Sequence, residues 1–97
     1  MAIVLTLESV VVASDQQVAA LLGDEVVILG LAEGSYFALK GVGTRIWALL
    51  QQPVRLGDVA DRLVAEFDVD RGRCERDLLA LAGELEQRRL IEVRPGP

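Results

Sequence analysis

The sequence contains no histidine, so it lacks the commonest general base and the commonest metal ligand of proteins. Its single cysteine, Cys74, has no histidine to activate it and no second cysteine with which to form an internal disulfide or a zinc-binding pair. The segment Gly41-Val42-Gly43 starts like a dinucleotide-binding motif, but Ile46 stands where the third glycine would be, which indicates a turn instead. We therefore predict that the protein is not an enzyme and uses no cofactor or metal ion.

The sequence also has few aromatic residues and no net positive charge. Only four of the 97 residues are aromatic, so the core has to consist mainly of leucine, valine, isoleucine and alanine. The formal net charge of −5 at pH 7 argues against a broad surface that neutralises nucleic-acid phosphates. The length suits one modest core, and we assign residues 1–97 to a single domain.

No long hydrophobic run is present either. A membrane-spanning helix needs about 20 apolar residues in succession, and no segment approaches that length. The first eight residues contain no basic residue and end at Glu8, so we expect no signal peptide. A lone cysteine fits a reducing compartment. We therefore expect a cytoplasmic protein that has no membrane partner.

The N-terminal part of the sequence has the pattern of β-strands. Val10–Ala13 is rich in β-branched residues, and residues 18–22 form a second apolar run. Residues 25–31 are apolar almost throughout, which predicts a strand that is buried on both faces. A loop over residues 32–35 then leads into a short aromatic strand. Strands in this order favour an antiparallel meander, with residues 3–7 as a weaker additional strand.

From Val42 onward the apolar residues recur with helical spacing. The pattern predicts a first helix from Val42 to near Gln51, where the following Pro53 prevents its continuation. A second apolar stripe predicts another helix of about three turns over residues 56–67. The polar segment 68–70 then separates this helix from the next.

A third helix is predicted after Asp70, whose side chain is a suitable N-cap. Arg88 and Arg89 fall in its last turn, where they complement the helix dipole. Residues 90–93 form a short closing strand. The predicted fold class is α+β, with a small antiparallel N-terminal sheet, three helices in a winged helix-turn-helix-like order and a short C-terminal strand. The apolar stripe of the third helix consists of Cys74, Leu78, Leu81, Ala82 and Leu85.

The short aromatic strand is the segment with the clearest potential for binding. Tyr36 and Phe37 occupy adjacent positions, so one side chain fills the core and the other either covers the second face of the sheet or contacts a partner. Because the strand runs directly into a helix, it leaves an exposed sheet edge that can pair with an extended peptide. Trp47 is more typical of a core anchor than of a contact residue, and Cys74 of a small buried hydrophobe than of a reactive thiol.

Several motifs follow one another in a specific order. They include a Gly-x-Tyr-Phe strand and a Cys-Glu-x-Asp start of the last helix, and they fall within residues 34–39, 42–53, 58–70 and 74–91. In this order and spacing the sequence resembles the PqqD family, the small peptide-recognition domains called RiPP recognition elements, from about residue 12 to residue 93. It looks most like the version found in lasso-peptide gene clusters. Lys40 is a departure, because the family often has asparagine there.

Members of this family bind the N-terminal leader of a ribosomally made precursor peptide. The leader adds as an antiparallel strand to the third β-strand and lies against the third helix. For this sequence the resemblance implies a non-catalytic adaptor that presents the leader to a separate leader peptidase and to a ring-closing enzyme, the cyclase. The implied peptide-binding residues are Ser35, Tyr36, Phe37, Ala38 and Leu39 on the strand, and Arg73, Cys74, Asp77, Leu78 and Leu81 on the helix.

Two other functions stay open on the sequence alone. A winged-helix nucleic-acid-binding protein would share the fold, but basic and acidic residues cancel between Asp70 and Arg89, whereas a helix that reads phosphates is clearly basic. A structural subunit of a larger complex would carry the same apolar surface. The sequence also leaves open which precursor is bound, whether it is a lasso peptide, and whether the protein is a monomer or a dimer.

Overall fold

Apart from a short strand between the first two helices that was not predicted, strands and helices follow one another in the predicted order through the part of the chain that the computed structural model describes, residues 4–32 and 34–94. This order confirms the α+β fold class. In chain order the elements are β1 (Val10–Ala13), β2 (Gln17–Leu22), β3 (Glu25–Gly30), β4 (Tyr36–Lys40), α1 (Val42–Leu49), β5 (Val54–Arg55), α2 (Leu56–Glu66), α3 (Arg71–Gln87) and β6 (Ile91–Arg94).

Two antiparallel three-stranded sheets divide the strands between them. β2, β3 and β4 are neighbours in sequence order, which confirms the predicted meander for these three. β1 lies instead in a second sheet, between β5 and β6. It leaves the meander because its end is held by later parts of the chain: the Ala13 N–H donates to the Leu50 carbonyl at 2.7 Å, and the Ser14 N–H donates to the Leu90 carbonyl at 2.9 Å.

Only one face of β3 is buried, so the prediction of a strand buried on both faces was wrong. Val26 and Ile28 point into the core. Leu29, which follows Ile28 in the strand, points to the opposite face and is 45% exposed. Burial therefore explains the apolar residues on only one face of β3. Leu29 belongs to the other face, which is exposed.

The N-terminal segment forms no strand between Val4 and Leu7, contrary to prediction, and residues 1–3 lie outside the described part. Instead, carbonyl groups of this segment and of Ser9 accept hydrogen bonds from the start of α2. The Leu7 carbonyl accepts the Gly57 N–H at 2.7 Å, and the Ser9 carbonyl accepts the Leu56 N–H at 2.9 Å. The segment thus satisfies the first N–H groups of α2, whose N-cap residue Arg55 makes no side-chain cap hydrogen bond.

The boundaries of the helices differ slightly from those predicted. α1 ends at Leu49, about two residues early. The Asp70 carboxylate accepts the backbone N–H of Arg73 at 2.9 Å, which confirms the predicted N-cap of α3. α3 ends at Gln87, so Arg88 and Arg89 follow the helix and do not form its last turn. No helix within residues 4–32 and 34–94 is long and apolar enough to cross a membrane.

The core joins both sheets to all three helices. Trp47 on α1 is only 5% exposed, which confirms that it is a core anchor. Its indole supplies a large share of the apolar area in a core that has few aromatic residues. The largest fully buried side chains around it are Val11, Ile28, Leu50, Leu56, Val59, Leu63, Leu78, Leu85 and Leu90.

We expect Trp47→Ala to lower the free energy of unfolding by about 3–5 kcal/mol, because it leaves a large cavity in the core. Trp47→Phe keeps most of the ring and should cost much less. Urea unfolding followed by far-UV circular dichroism measures both. A loss below about 1 kcal/mol for the alanine variant would show that Trp47 is not an anchor of this core.

Candidate functional site

The edge of β4 that faces away from β3 carries no strand in the described structure. The Gly30 N–H donates to the Ser35 carbonyl at 2.7 Å, which makes this a hydrogen-bonded pair of the ladder. Hydrogen-bonded and non-bonded pairs alternate in antiparallel sheets, so Phe37 and Leu39 also bond to β3. The backbone N–H and C=O groups of the residues between and beside them therefore point to the open edge: those of Tyr36, Ala38 and Lys40.

The side chains of Tyr36 and Phe37 face opposite sides of the sheet, as predicted. Tyr36 is 69% exposed, whereas Phe37 is half-buried and packs against the core. Leu39 shares the inner face with Phe37 and is buried. The strand residues of the predicted site therefore divide into an inner set that holds the sheet on the core and an outer set that is exposed.

A sharp turn at Gly41 connects β4 directly to α1. Gly41 has φ 57° and ψ −125°, a conformation that is open almost only to glycine. A Cβ atom on Gly43 would lie 3.3 Å from the Cβ of Leu39, so the first turn of α1 packs closely against β4. Lys40 stays within β4 and pairs with Glu25 across the ladder at 3.7 Å.

Beside the end of β4 lies a cavity of about 480 Å³, which we call the α3 groove. Its walls come from the first turns of α1, the end of α2, the connection between α2 and α3, and one face of α3. The cavity is apolar at its base and charged at its rim. The lining residues are Val42, Gly43, Ile46, Leu63, Asp68, Val69, Asp70, Arg73, Cys74, Asp77, Leu78 and Leu81.

All five helix residues of the predicted site line this groove, whereas the five strand residues do not. The strand runs alongside it instead. At the start of β4 the Arg88 guanidinium, just after α3, lies 5.2 Å from the centroid of the Phe37 ring. At its end β4 leads into Val42 and Gly43, which line the groove. The strand with the open edge therefore begins near Arg88, just after α3, and ends beside the α1 residues of the groove.

Sequence reasoning missed seven of the lining residues, which lie on α1, on α2 and in the connection to α3. Val42, Ile46 and Leu63 were assigned to apolar stripes that pack in the core; Ile46 and Leu63 are indeed core residues, and all three also line the groove. Asp68 and Val69 could have been predicted from the sequence, because a connection between two packed amphipathic helices lies at the end of the cleft between them.

The charges at the rim are exposed and adaptable. The Arg73 Nε lies 3.7 Å from Asp77 Oδ2, and both side chains are about three-quarters exposed, so solvent screens this pair strongly. Asp70 is already used as the N-cap of α3. The rim thus has carboxylates in excess over its single arginine, while the apolar residues at its base contribute no charge.

Burial raises the pKa of the Cys74 thiol; the Arg71 guanidinium opposes this, and the carboxylates of Asp77 and Glu75 add to it. The thiol is therefore protonated at neutral pH and is a poor nucleophile. Its position among apolar groove residues agrees with the interpretation of Cys74 as a small buried hydrophobe.

A family model described as coenzyme PQQ synthesis protein D (PqqD) matches residues 25–91, and the chain belongs to this family. The matched segment begins with β3 and includes β4, all three helices and the first residue of β6. It therefore contains both the open edge and the α3 groove. A search of curated protein sequences found no match.

Two solved structures resemble the whole fold. One is TbiB1 in complex with the TbiA(beta) leader peptide: it is 41% identical, with a TM-score of 0.78, over 88% of this chain and 99% of that chain. The other is a lasso peptide synthetase B1 complexed with the leader peptide, at 26% identity and a TM-score of 0.74, over 84% of this chain and 96% of that one. The resemblance to the recognition elements of lasso-peptide pathways is thereby confirmed.

The same fold also occurs within a much longer protein. The tRNA-dependent lantibiotic dehydratase MibB from Microbispora sp. 107891 matches 92% of this chain with a TM-score of 0.60, but the match covers only 9% of that chain. At 20% identity this similarity concerns the fold alone.

Alkylation of Cys74 by iodoacetamide should be slower in the folded protein than in the urea-unfolded chain. Because the folded state raises the pKa of the thiol, its thiolate forms at higher pH, and the rate should reach half of its maximum at a higher pH than in the unfolded chain. Mass spectrometry over a pH series measures the rate, and the lone cysteine makes the signal unambiguous. A folded thiol that reacts faster at pH 7 would indicate an activated cysteine.

Proposed function

We propose that this protein is a non-catalytic adaptor that binds the leader segment of a ribosomally synthesised precursor peptide, of the lasso class, by strand addition to β4. It presents the bound leader to a separate leader peptidase and to a cyclase. The observation that carries the proposal is the open edge of β4, with three residues facing outward, beside an apolar groove on α3. Two solved structures with the same fold are complexes with leader peptides.

The backbone of the edge supplies register. Tyr36, Ala38 and Lys40 each offer one N–H and one C=O to an added strand. With a rise of about 3.3 Å per residue, these positions span about 13 Å and pair with about five residues of a leader. Main-chain hydrogen bonds of this kind fix where the peptide lies without selecting its sequence.

The α3 groove supplies the sequence preference. In an added strand, alternate side chains share the inner face with Phe37 and Leu39 and point toward α3. Each apolar side chain that becomes fully buried there contributes about 1.5–3 kcal/mol. Micromolar affinity needs about 8 kcal/mol, so two or three such anchors supply much of it once the ordering of the leader is subtracted.

An adaptor of this kind acts by raising the effective concentration of the precursor peptide near its enzymes. While the leader is held on β4, the cleavage site and the core peptide remain tethered near the enzyme that the adaptor brings to them. A role without chemistry agrees with the state of Cys74, whose thiol is buried and has a raised pKa.

The nucleic-acid alternative has little support from α3. Several basic side chains are paired along the helix: Arg71 with Glu75 at 3.0 Å, Arg73 with Asp77 at 3.7 Å, and Arg88, which follows the helix, with Glu84 at 3.8 Å. A helix that reads phosphates presents an excess of positive charge. A structural subunit stays as the competing interpretation, and a titration with leader peptide separates it from the adaptor.

Ala38→Pro tests the open edge. The substitution removes an N–H that faces away from β3, so it should leave the domain folded while it weakens leader binding tenfold or more, equivalent to about 1.5 kcal/mol. Fluorescence anisotropy with a labelled synthetic leader from the same gene cluster measures the affinity, and a melting curve checks the fold.

Ala38→Val is the matched control, because valine keeps the N–H and suits a strand. It should bind the leader within about twofold of the parent. If the proline variant is folded and also binds like the parent, the leader does not add to β4.

Leu81→Asp tests the wall of the groove. Leu81 is partly exposed, whereas Leu78 is 1% exposed and a charge there would disrupt the core. The carboxylate removes an apolar contact and should weaken leader binding tenfold or more. Leu79→Asp, on the same helix but outside the groove, is the control and should retain the affinity. Equal loss in both variants would mean that the effect comes from the helix and not from the groove.

A further inference from the structure

The two ends of β4 lie beside charges of opposite sign. At the start of the strand the Arg88 guanidinium lies 5.2 Å from the centroid of the Phe37 ring, a position that favours a cation. At the other end, the rim of the α3 groove has three carboxylates against one guanidinium, a net charge of −2 at neutral pH. These residues are Asp68, Asp70, Asp77 and Arg73.

Arg88 is placed to bind a carboxylate. Its side chain is 40% exposed, and the Glu84 carboxylate lies 3.8 Å away, which is too far for a hydrogen bond. Glu84 therefore leaves the planar fork of N–H donors on Arg88 available. A guanidinium donates two parallel hydrogen bonds to a carboxylate that comes within reach. Contact with Phe37 keeps the head group of Arg88 on the inner side of the sheet, toward which alternate side chains of an added strand point.

The acidic end is open to a basic ligand. Asp77 is 74% exposed, and its Oδ2 lies 3.7 Å from the Arg73 Nε, beyond hydrogen-bond distance. Asp68 is exposed as well. Lys40, the last residue of β4, does not neutralise this end, because its side chain lies 3.7 Å from Glu25 on the side of the β2–β3–β4 sheet that faces away from the core, here called the outer face.

The strand geometry sets the spacing between the two ends. β3 is antiparallel to both of its neighbours, and antiparallel pairs are slightly more stable than parallel ones. In an antiparallel leader, the residue opposite Phe37 has its Cβ about 4.5–5.5 Å from the Phe37 Cβ, so its side chain lies beside Arg88. Four residues closer to its N-terminus, about 13 Å away, the leader passes Lys40 and reaches the groove at Val42 and Gly43.

We propose that the leader carries an acidic side chain that pairs with Arg88 and, about four residues closer to its N-terminus, a basic side chain that pairs with the acidic rim of the α3 groove. This inference rests on the proposed function and specifies the chemistry of the peptide. Main-chain hydrogen bonds alone let an added strand slide by two residues or add in the other direction. Opposite charges at the two ends of β4 fix both its register and its direction.

The test uses two synthetic peptides based on the leader from the same gene cluster. They are identical except at two positions four residues apart. The matched peptide has lysine at the position nearer the N-terminus and glutamate at the other, whereas the exchanged peptide has the reverse, so both have the same net charge. The two substitutions are placed in turn along the whole leader, and fluorescence anisotropy measures the affinity.

At one placement the matched peptide should bind fivefold or more tightly than the exchanged one, because the exchange turns attraction into repulsion at both ends of β4. About 0.5 M NaCl should reduce this difference to within about twofold, since salt screens exposed charges.

Arg88→Glu tests the positive end. It should weaken binding of the matched peptide fivefold or more, and a peptide with lysine at both positions should restore the affinity, which a merely structural role of Arg88 does not predict. Arg76→Glu makes the same change in net charge on α3 outside the groove, so it is the control and should bind within about twofold of the parent. If a melting curve shows that Arg88→Glu does not fold, Asp68→Lys replaces it, with rescue by a peptide that has glutamate at both positions.

The outcomes separate this inference from the proposed function. A parent protein that binds no leader peptide overturns both. A parent that binds the leader but prefers the exchanged peptide, or distinguishes the two at no placement, overturns the charge pairing alone. Equal weakening by Arg76→Glu and Arg88→Glu would assign the effect to net charge and would also overturn the pairing.

Discussion

The open edge of β4 is the feature on which the rest of the candidate site depends. It stays open because the chain turns at Gly41 directly into α1, and because β5, the next strand in the sequence, pairs with β1 in the other sheet. A strand that stays unpaired beside a helix keeps both its backbone groups and the adjacent groove accessible. The positive φ of Gly41 is the backbone feature that allows this direct turn from β4 into α1.

The alternation of a β-strand lets β4 serve the core and the site together. Phe37 and Leu39 turn both their side chains and their backbone hydrogen bonds toward the interior of the domain. Ala38 turns its backbone groups to the open edge and its small side chain to the outer face. Neighbouring residues therefore have different positions: Ala38 is exposed and lies outside the core, whereas Leu39 is buried in it.

Local patterns accounted for much of this structure. The helical spacing of apolar residues predicted α2 and α3 closely, Asp70 was found as an N-cap, and the stripe from Cys74 to Leu81 proved to line the groove. The failures have one cause, which is pairing between distant segments. Nothing near Val10–Ala13 shows that β1 pairs with β5 and β6, and nothing near Leu7 shows that its carbonyl caps a helix 50 residues later.

By itself the sequence determined the three helices, their apolar faces and the turn at residues 41–43 that follows β4, because these follow from the spacing and conformational preferences of neighbouring residues. Only the tertiary structure decided which edge of the meander is open beside α3 and which residues of α1 and α2 complete the groove. It also decided that the apolar side chains of β3 divide between the core and the outer face. These properties depend on which distant segments pack together, and the local sequence of one strand does not specify which residues pack against it.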